Sequence, residues 1–238
     1  MGNPRRVGIF IALMVLCAVS AAGYAGFRSH TFHPSLAVTI FALAALTSRL
    51  KVKLPGINGN MSANLPFLLT AIVNLSAAEA MVVAGVSTLI QCWPQKGKKA
   101  NLEQITFNVG MMVFATCIAG WVFNWSWGGG SAPAAIALAT ASLLLGQTVP
   151  VAAVIAISER NAMASIWWNV AQLSFPYYVV SAGITSMMQV ASVRVGWPLA
   201  LAVFPVMYGI HRSYRLYFGR MAETLRAEVP MKAAAAGA

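Results

Sequence analysis

Amide and hydroxyl side chains within apolar segments are the residues of this chain best suited to bind a ligand. Gln104 and Asn108 lie four residues apart in one segment, and Ser165, Asn169 and Gln172 follow the spacing i, i+4, i+7 in another. In a helix each set falls on one face. An amide that faces lipid is costly, so both faces should turn toward neighbouring helices. The pattern therefore predicts either interhelical hydrogen bonds or a polar pocket for a small ligand.

Catalytic chemistry has little support among the other side chains. The chain contains no Asp, and its three His residues fall at the boundaries of apolar segments, where a serine triad within the membrane cannot use them. His30 and His33 could begin a metal site, but the loops on their side offer no Cys, Asp or Glu apart from Glu79. We therefore predict a protein that is not an enzyme and that binds no metal and no cofactor.

Composition and charge place these residues in a membrane. Of 238 residues, 59% are hydrophobic and only 9% are charged, whereas soluble domains carry about 25% charged residues. Of the sixteen Lys and Arg residues, only Arg28 and Arg194 fall at one set of segment ends, and all the others fall at the opposite set. Since Lys and Arg stay in the cytoplasm, this asymmetry predicts that both termini are cytoplasmic. The net charge of +11 is then an orientation signal and not a sign of nucleic-acid binding.

The apolar runs predict an all-α, polytopic protein of the bacterial inner (cytoplasmic) membrane, with about eight transmembrane segments. Residues 1–216 form the transmembrane helical domain and residues 217–238 a short cytoplasmic tail. The expected partners are membrane lipid and either another protein or a second copy of the chain. The segments cover approximately residues 7–26, 34–48, 62–75, 76–93, 101–124, 133–157, 164–190 and 196–212.

The stretch from Ser62 to Trp93 requires a break. One continuous helix would measure about 48 Å, but the hydrocarbon core is only about 30 Å thick. Ser76 and Glu79 have the spacing of a capping box, so a new helix should begin there. The half before the break either spans a locally thinned bilayer or forms a re-entrant half-helix. Glu79 is a cap in the first case and a functional carboxylate at mid-depth in the second, and we favour the cap.

Small residues and a terminal aromatic segment predict contacts between helices and with partners. Ala18 with Ala22, and Ala115 with Ala119, have the small-xxx-small spacing of close helix packing. An irregular connector is expected around Pro55-Gly56 and Asn58-Gly59. Near the C-terminus, three residues with interfacial chemistry are candidates for a relay or partner contact: Tyr214, Arg215 and Tyr217.

Several short segments resemble the multi-helix membrane sensor regions that precede HD-GYP phosphodiesterase, diguanylate cyclase or histidine kinase domains in bacterial signalling proteins. The likeness covers about residues 34 to 220, and here no output domain follows within the chain. A looser likeness links the apolar half-helix, the acidic cap and the short basic loop to substrate-binding subunits of energy-coupling-factor transporters. In those subunits small residues on the first helix dock the coupling subunit, and Ala18 and Ala22 match that pattern. The segments similar to the sensor regions are Leu65-Pro66-Phe67, Ala78-Glu79-Ala80, Phe107-Asn108, Ile157-Ser158-Glu159-Arg160-Asn161, Ser174-Phe175-Pro176-Tyr177-Tyr178 and Tyr214-Arg215-Leu216-Tyr217.

The leading hypothesis is therefore a non-catalytic, sensor-like membrane module that binds a small or lipidic ligand and signals through a partner. The candidate ligand contacts are Gln104, Asn108, Ser165, Asn169 and Gln172. A substrate-binding subunit of a small-molecule, vitamin-type transporter and a structural subunit of a larger membrane complex are the alternatives.

Overall fold

The computed structural model describes residues 4–28, 34–53, 60–94, 101–125, 131–159 and 161–195, with single positions at 205, 206, 208, 209, 212, 213 and 216. Within this part the chain is helical, as predicted, apart from one short β-ribbon. The eighth predicted segment lies outside the described residues except at those single positions. The seven helices are α1 (Pro4–Arg28), α2 (Pro34–Ser48), α3 (Leu65–Asn74), α4 (Ala77–Cys92), α5 (Leu102–Asn124), α6 (Ala132–Glu159) and α7 (Met163–Val195).

Three of the described helices, α1, α5 and α6, are long and apolar enough to cross a membrane. Their hydrophobic spans run over 23, 23 and 28 residues, which exceeds the roughly 20 residues that a bilayer core requires. Shorter apolar helices, α2, α3 and α4, stand between them in the chain. The chain is therefore a helical protein with the features of a membrane protein.

The connector between α2 and α3 contains two short strands that the sequence analysis did not predict. Its two ends pair as an antiparallel ribbon of β1 (Lys51–Lys53) and β2 (Asn60–Ser62), with Lys51 opposite Ser62. The irregular connector predicted at Pro55-Gly56 and Asn58-Gly59 lies outside the described residues. The all-α prediction missed these strands because three residues are too few to show an alternating pattern.

The ribbon returns the chain to the end of α2, so α3 begins beside the place where α2 stops. The backbone N–H of Leu50 donates to the Thr47 carbonyl (3.0 Å), and that of Ala63 donates to the Leu50 carbonyl (3.1 Å). Helix α3 then packs against α2, α4, α5, α6 and α7, which makes it the central element of the described bundle. Every residue from Leu65 to Ile72 is buried, as expected for a helix surrounded on all sides.

The predicted break near Ser76 is confirmed. Helix α3 contains only ten residues, or about 15 Å, which is half of a bilayer core. Leu75 and Ser76 adopt extended backbone conformations, and α4 starts at the next residue. The break arises because the Ser76 side chain and the Glu79 carboxylate satisfy the first backbone N–H groups of α4, so a new helix costs little there.

Small residues set the contacts of α5 with its neighbours. A Cβ on Gly110 would lie 3.5 Å from the Val15 Cα of α1, and one on Gly146 of α6 would lie 2.8 Å from the Ala115 Cβ. Ala115 and Ala119 are both fully buried, which confirms the predicted small-residue face of α5.

The small pair on α1 does not form one contact surface. Ala18 is buried within the bundle, whereas Ala22 is exposed.

Candidate functional site at the buried half-helix

The beginning of α3 is held by hydroxyl groups of α7. The Leu65 backbone N–H donates to the Tyr177 hydroxyl at 3.2 Å. The Thr185 hydroxyl lies 2.9 Å from the Ser181 carbonyl of its own helix and 3.4 Å from the Pro66 carbonyl of α3. Since the first N–H groups of a helix have no partner within that helix, Tyr177 acts as a cap supplied from a distant part of the chain.

One turn further along α3, a weaker contact continues the same line. The Thr70 hydroxyl donates to the Pro66 carbonyl at 2.7 Å and lies 3.7 Å from the Met188 sulfur. Contacts advance in the same order along both helices, from Leu65 with Tyr177 to Thr70 with Met188. Helices α3 and α7 therefore run in the same direction along this line.

The buried face of α7 follows from the spacing of its hydroxyl residues. Tyr177, Ser181 and Thr185 are separated by four residues each and are all buried. The Ser181 hydroxyl donates to the Tyr177 carbonyl at 2.8 Å, so its polarity is satisfied within α7. Such local bonding allows a hydroxyl to be buried in apolar surroundings at little cost. The Tyr177 hydroxyl is then the group of this face that reaches across to a backbone N–H of α3.

Two segments that carry the resemblance to sensor regions meet at this contact. Leu65-Pro66-Phe67 forms the first turn of α3, and Ser174-Phe175-Pro176-Tyr177-Tyr178 supplies the tyrosine that caps it. Tyr177, Ser181 and Thr185 are not among the site residues predicted from the sequence. Their regular four-residue spacing is the signal that could have identified them.

At the opposite end of α3, Glu79 forms the predicted capping box. Its Oε2 accepts from the Ser76 backbone N–H at 2.9 Å and from the Ser76 hydroxyl at 2.7 Å, and the Glu79 N–H donates to the Ser76 Oγ at 3.3 Å. The carboxylate is 8% exposed. These bonds confirm the capping geometry that the sequence predicts for Glu79.

Substitutions at this cap separate a structural role from a role that requires a carboxyl group. We expect Ser76→Ala to lower the free energy of unfolding by about 1 kcal/mol, because it removes the acceptor for the Glu79 N–H. Glu79→Gln should stay within about 0.5 kcal/mol of the wild-type value, because glutamine also completes a capping box. Denaturant titration of the purified protein in bicelles measures both values. A loss for Glu79→Gln that exceeds the loss for Ser76→Ala would contradict the capping role.

The two predicted ligand contacts on α5 have different surroundings. Asn108 is half-buried, and its Nδ2 donates to the Cys92 sulfur of α4 at 3.3 Å. Gln104 is exposed in the first turn of α5, where its backbone N–H donates to the side chain of the helix cap, Asn101, at 3.2 Å. Asn101 is thus the N-cap of α5. Asn108 makes an interhelical hydrogen bond, which is one of the two interpretations that the sequence left open.

The three predicted contacts on α7 do not face the bundle. Ser165, Asn169 and Gln172 are all exposed, so the prediction that they turn toward neighbouring helices is wrong for the described residues. Helix α6 lies between α5 and α7 and packs along both, and α5 and α7 have at most marginal contact. The rotation of α7 is set by its other polar face, the one with Tyr177 and Ser181, which packs on α3. Among the described residues, the amides of α5 and α7 therefore do not share a pocket.

The remaining predicted residues are the relay candidates and the possible metal ligands. The relay candidates Tyr214, Arg215 and Tyr217 lie outside the described residues. In the part of the chain that the structure describes, no three His, Cys, Asp or Glu side chains group as metal ligands.

Comparison of the chain with protein-family models, with curated proteins and with solved structures found no match.

Proposed function

We propose that the chain is a non-catalytic, sensor-like module of a bacterial inner membrane, which binds a small or lipidic ligand and signals through a protein partner. In this proposal it crosses the membrane eight times and keeps both termini in the cytoplasm, as the distribution of Lys and Arg favours. The observation that carries the proposal is the contact between α3 and α7. Helix α7 both holds the central half-helix and leads into the C-terminal part of the chain.

In this proposal the contact between α3 and α7 is an element with two states. One backbone-to-phenol hydrogen bond and one shared hydroxyl join α3 to α7, and each contributes only about 1 kcal/mol. A ligand that binds one arrangement of α3 more tightly than another shifts the equilibrium by its difference in affinity. The shift reaches α7 through Tyr177 and Thr185. It then passes along the chain to the segment of Tyr214, Arg215 and Tyr217, which contacts the partner.

The exposed polar residues of α7 have a different role in this proposal. Ser165, Asn169 and Gln172 present hydroxyl and amide groups on the outer face of the helix. Amides both donate and accept hydrogen bonds, so they suit contact with a partner helix or with a second copy of the chain. Asn108 remains the predicted amide closest to the bundle interior, at the contact of α4 with α5.

One observation favours a second candidate, the substrate-binding subunit of a small-molecule transporter. Helices α3 and α4 form a discontinuous pair that breaks at Leu75 and Ser76, and broken helices commonly line substrate sites in transporters. Against this candidate, Ala18 is buried inside the bundle, so only Ala22 of the pair that resembles a docking face is exposed. Copurification with an energy-coupling subunit in fixed stoichiometry would favour the transporter.

A chimera tests the sensor proposal directly. A diguanylate cyclase output domain is fused after Leu216, and cyclase activity is measured in membranes for the parent and for Tyr177→Phe. Loss of the hydroxyl removes the acceptor for the Leu65 N–H but keeps the ring. We expect cyclase activity to change by about two- to tenfold, because one hydrogen bond of 0.5 to 1.5 kcal/mol shifts a two-state equilibrium by that factor.

Thr140→Val is the matched control for the chimera. The Thr140 hydroxyl is buried in α6 and donates to the Ile136 carbonyl of its own helix (2.7 Å), so its removal takes no hydrogen bond from the contact of α3 with α7. Its cyclase activity should equal that of the parent. If Tyr177→Phe also leaves the cyclase activity unchanged while the protein remains folded, a change in the arrangement of α3 does not reach the output domain through α7.

A further inference from the structure

Of the four buried side-chain atoms that have no hydrogen-bond partner within the described residues, two lie on the neighbouring helices α5 and α6. They are the Thr116 Oγ1 on α5 and the Gln147 Nε2 on α6. Thr116 is 1% exposed. Buried polar side chains are nearly always paired with protein or with ordered solvent, so an unpaired group indicates a partner from outside the chain.

The two atoms lie on the same side of one helix contact. Helices α5 and α6 are joined by a short connector and pack as antiparallel neighbours, with Ala115 against Gly146. The next residue on each helix is rotated by about 100°. In an antiparallel pair these rotations bring Thr116 and Gln147 to the same side, within about 3 Å in height along the helix axes. Helix α3 packs against both α5 and α6.

Thr116, like Thr88 of α4, differs from the buried threonines whose hydroxyls bond to their own helix. Thr70, Thr140 and Thr148 each donate to the carbonyl four residues earlier in the same helix, at 2.7 to 2.8 Å. The Thr116 hydroxyl makes no such bond, so it is directed away from its own backbone. The Gly146 carbonyl, next to Gln147 in the chain, also lacks its helical partner, because Pro150 has no N–H to donate to it.

Because these polar groups lie deep in the bundle, leaving them without a hydrogen-bond partner is costly. Ala115 and Gly146 lie near the midpoints of α5 and α6, two of the described helices that are able to span a membrane. An unsatisfied polar group costs several kcal/mol in hydrocarbon, where no bulk water can reach it. The charged residues of both helices are limited to Glu103 and Glu159 at their ends. The surroundings therefore suit a neutral partner and exclude a charged one.

We propose that Thr116 and Gln147 form a binding site between α5 and α6 for a small neutral molecule with a hydrogen-bond acceptor oxygen. The Gln147 amide donates to that oxygen and the Thr116 hydroxyl donates or accepts. An ordered water and a small uncharged solute share this chemistry. The site is separate from the contact of α3 with α7, and it stands whether or not the chain acts as a sensor.

Substitutions that keep side-chain size provide the first test. With a bound molecule present, Thr116→Val and Gln147→Met each remove a real hydrogen bond and should lower the midpoint of thermal unfolding by about 2 to 4 °C. The double variant should lose no more than the larger single loss, because both residues bind one molecule. Thr140→Val, which removes only a hydroxyl bonded to its own helix, should stay within about 1 °C of the wild type. If the two groups are simply unpaired, both single variants will be as stable as the wild type or more stable.

The second test observes the bound molecule and does not depend on stability. The Gln147 side-chain NH₂ signals are assigned in ¹⁵N-labelled protein in nanodiscs, and cross-peaks to water and to added formamide are recorded. A long-lived cross-peak to water that formamide leaves unchanged identifies water as the bound molecule. A saturable shift with formamide, lost in Thr116→Val, identifies a site for a small solute. No contact with either molecule would overturn the proposal.

Discussion

Replacing Phe67 with alanine should lower the free energy of unfolding by about 2 to 4 kcal/mol. Phe67 is 0% exposed and lies in the central half-helix α3, which packs against five other helices, so its removal leaves a buried cavity. In soluble cores such a change costs about 3 to 5 kcal/mol, which includes the transfer of the ring from water. Lipid is as apolar as the core, so the transfer part is smaller here and the lost packing contacts account for most of the effect.

The measurement is unfolding in mixed micelles by increasing sodium dodecyl sulfate, followed by tryptophan fluorescence. Phe175→Ala is the matched control, because Phe175 belongs to α7 but is 57% exposed. Its loss should remain below about 0.5 kcal/mol, as expected for a surface position. Equal losses for the two variants would mean that α3 is not the packed centre of the bundle. Phe67→Ala in the cyclase chimera should also change the cyclase activity, since a cavity beside α3 frees that helix to move.

Helix ends were the part of this fold that the sequence could predict. The capping box of Ser76 and Glu79 and the cap at Asn101 depend on side chains within three residues of the backbone groups that they satisfy. Such bonds form whatever surrounds the helix, so a short pattern is enough to identify them. The break between α3 and α4 could be predicted from the sequence for the same reason. It reinforced a simple length argument, since a single helix over both halves would be too long for the membrane.

Helix faces could not be predicted in the same way. Helix α7 has two polar faces, one with Asn169 and Gln172 and one with Tyr177, Ser181 and Thr185. The cost of placing amides against lipid suggested that the first face turns inward. The hydroxyl face is the one that turns inward, because serine and threonine satisfy their hydrogen bonds within the helix. In addition, the Tyr177 hydroxyl accepts a hydrogen bond from the first backbone N–H of α3. That choice depends on the position of α3, which is a tertiary contact.

The same limit explains the position of the candidate sites. The α5 residues singled out in the sequence were Gln104 and Asn108, near the start of the helix, whereas the unpaired hydroxyl is that of Thr116 in its middle. A threonine in an apolar helix carries no signal of its own, because most threonines there bond to their own backbone. The contact between Ala115 and Gly146, which the structure supplies, is what places Thr116 and Gln147 on the same side of the α5–α6 pair.

That contact also gives the second large prediction. Gly146→Ala should lower the free energy of unfolding by about 1 to 3 kcal/mol, the usual cost of overpacking. The added Cβ would lie 2.8 Å from the Ala115 Cβ and 3.2 Å from the Ala115 Cα, so the α5 backbone itself must move. Unfolding by sodium dodecyl sulfate measures the loss. Gly120→Ala is the control on the same helix pair, because a Cβ there meets nothing within 4 Å.

A compensating substitution separates this clash from a general effect of removing glycine. Ala115→Gly should restore most of the stability of Gly146→Ala, because the double variant has one Cβ at the contact, as the wild type has, but on the opposite helix. Ala115→Gly alone should be destabilised by about 0.5 to 1 kcal/mol, the cost of glycine in a helix interior. The double variant should therefore lose less stability than the sum of the two single losses. The difference should exceed about 0.5 kcal/mol, the range in which contacting residues depart from additivity. Strictly additive losses would show that α5 and α6 do not meet at these two residues, and the proposed site of Thr116 and Gln147 would lose its geometric basis.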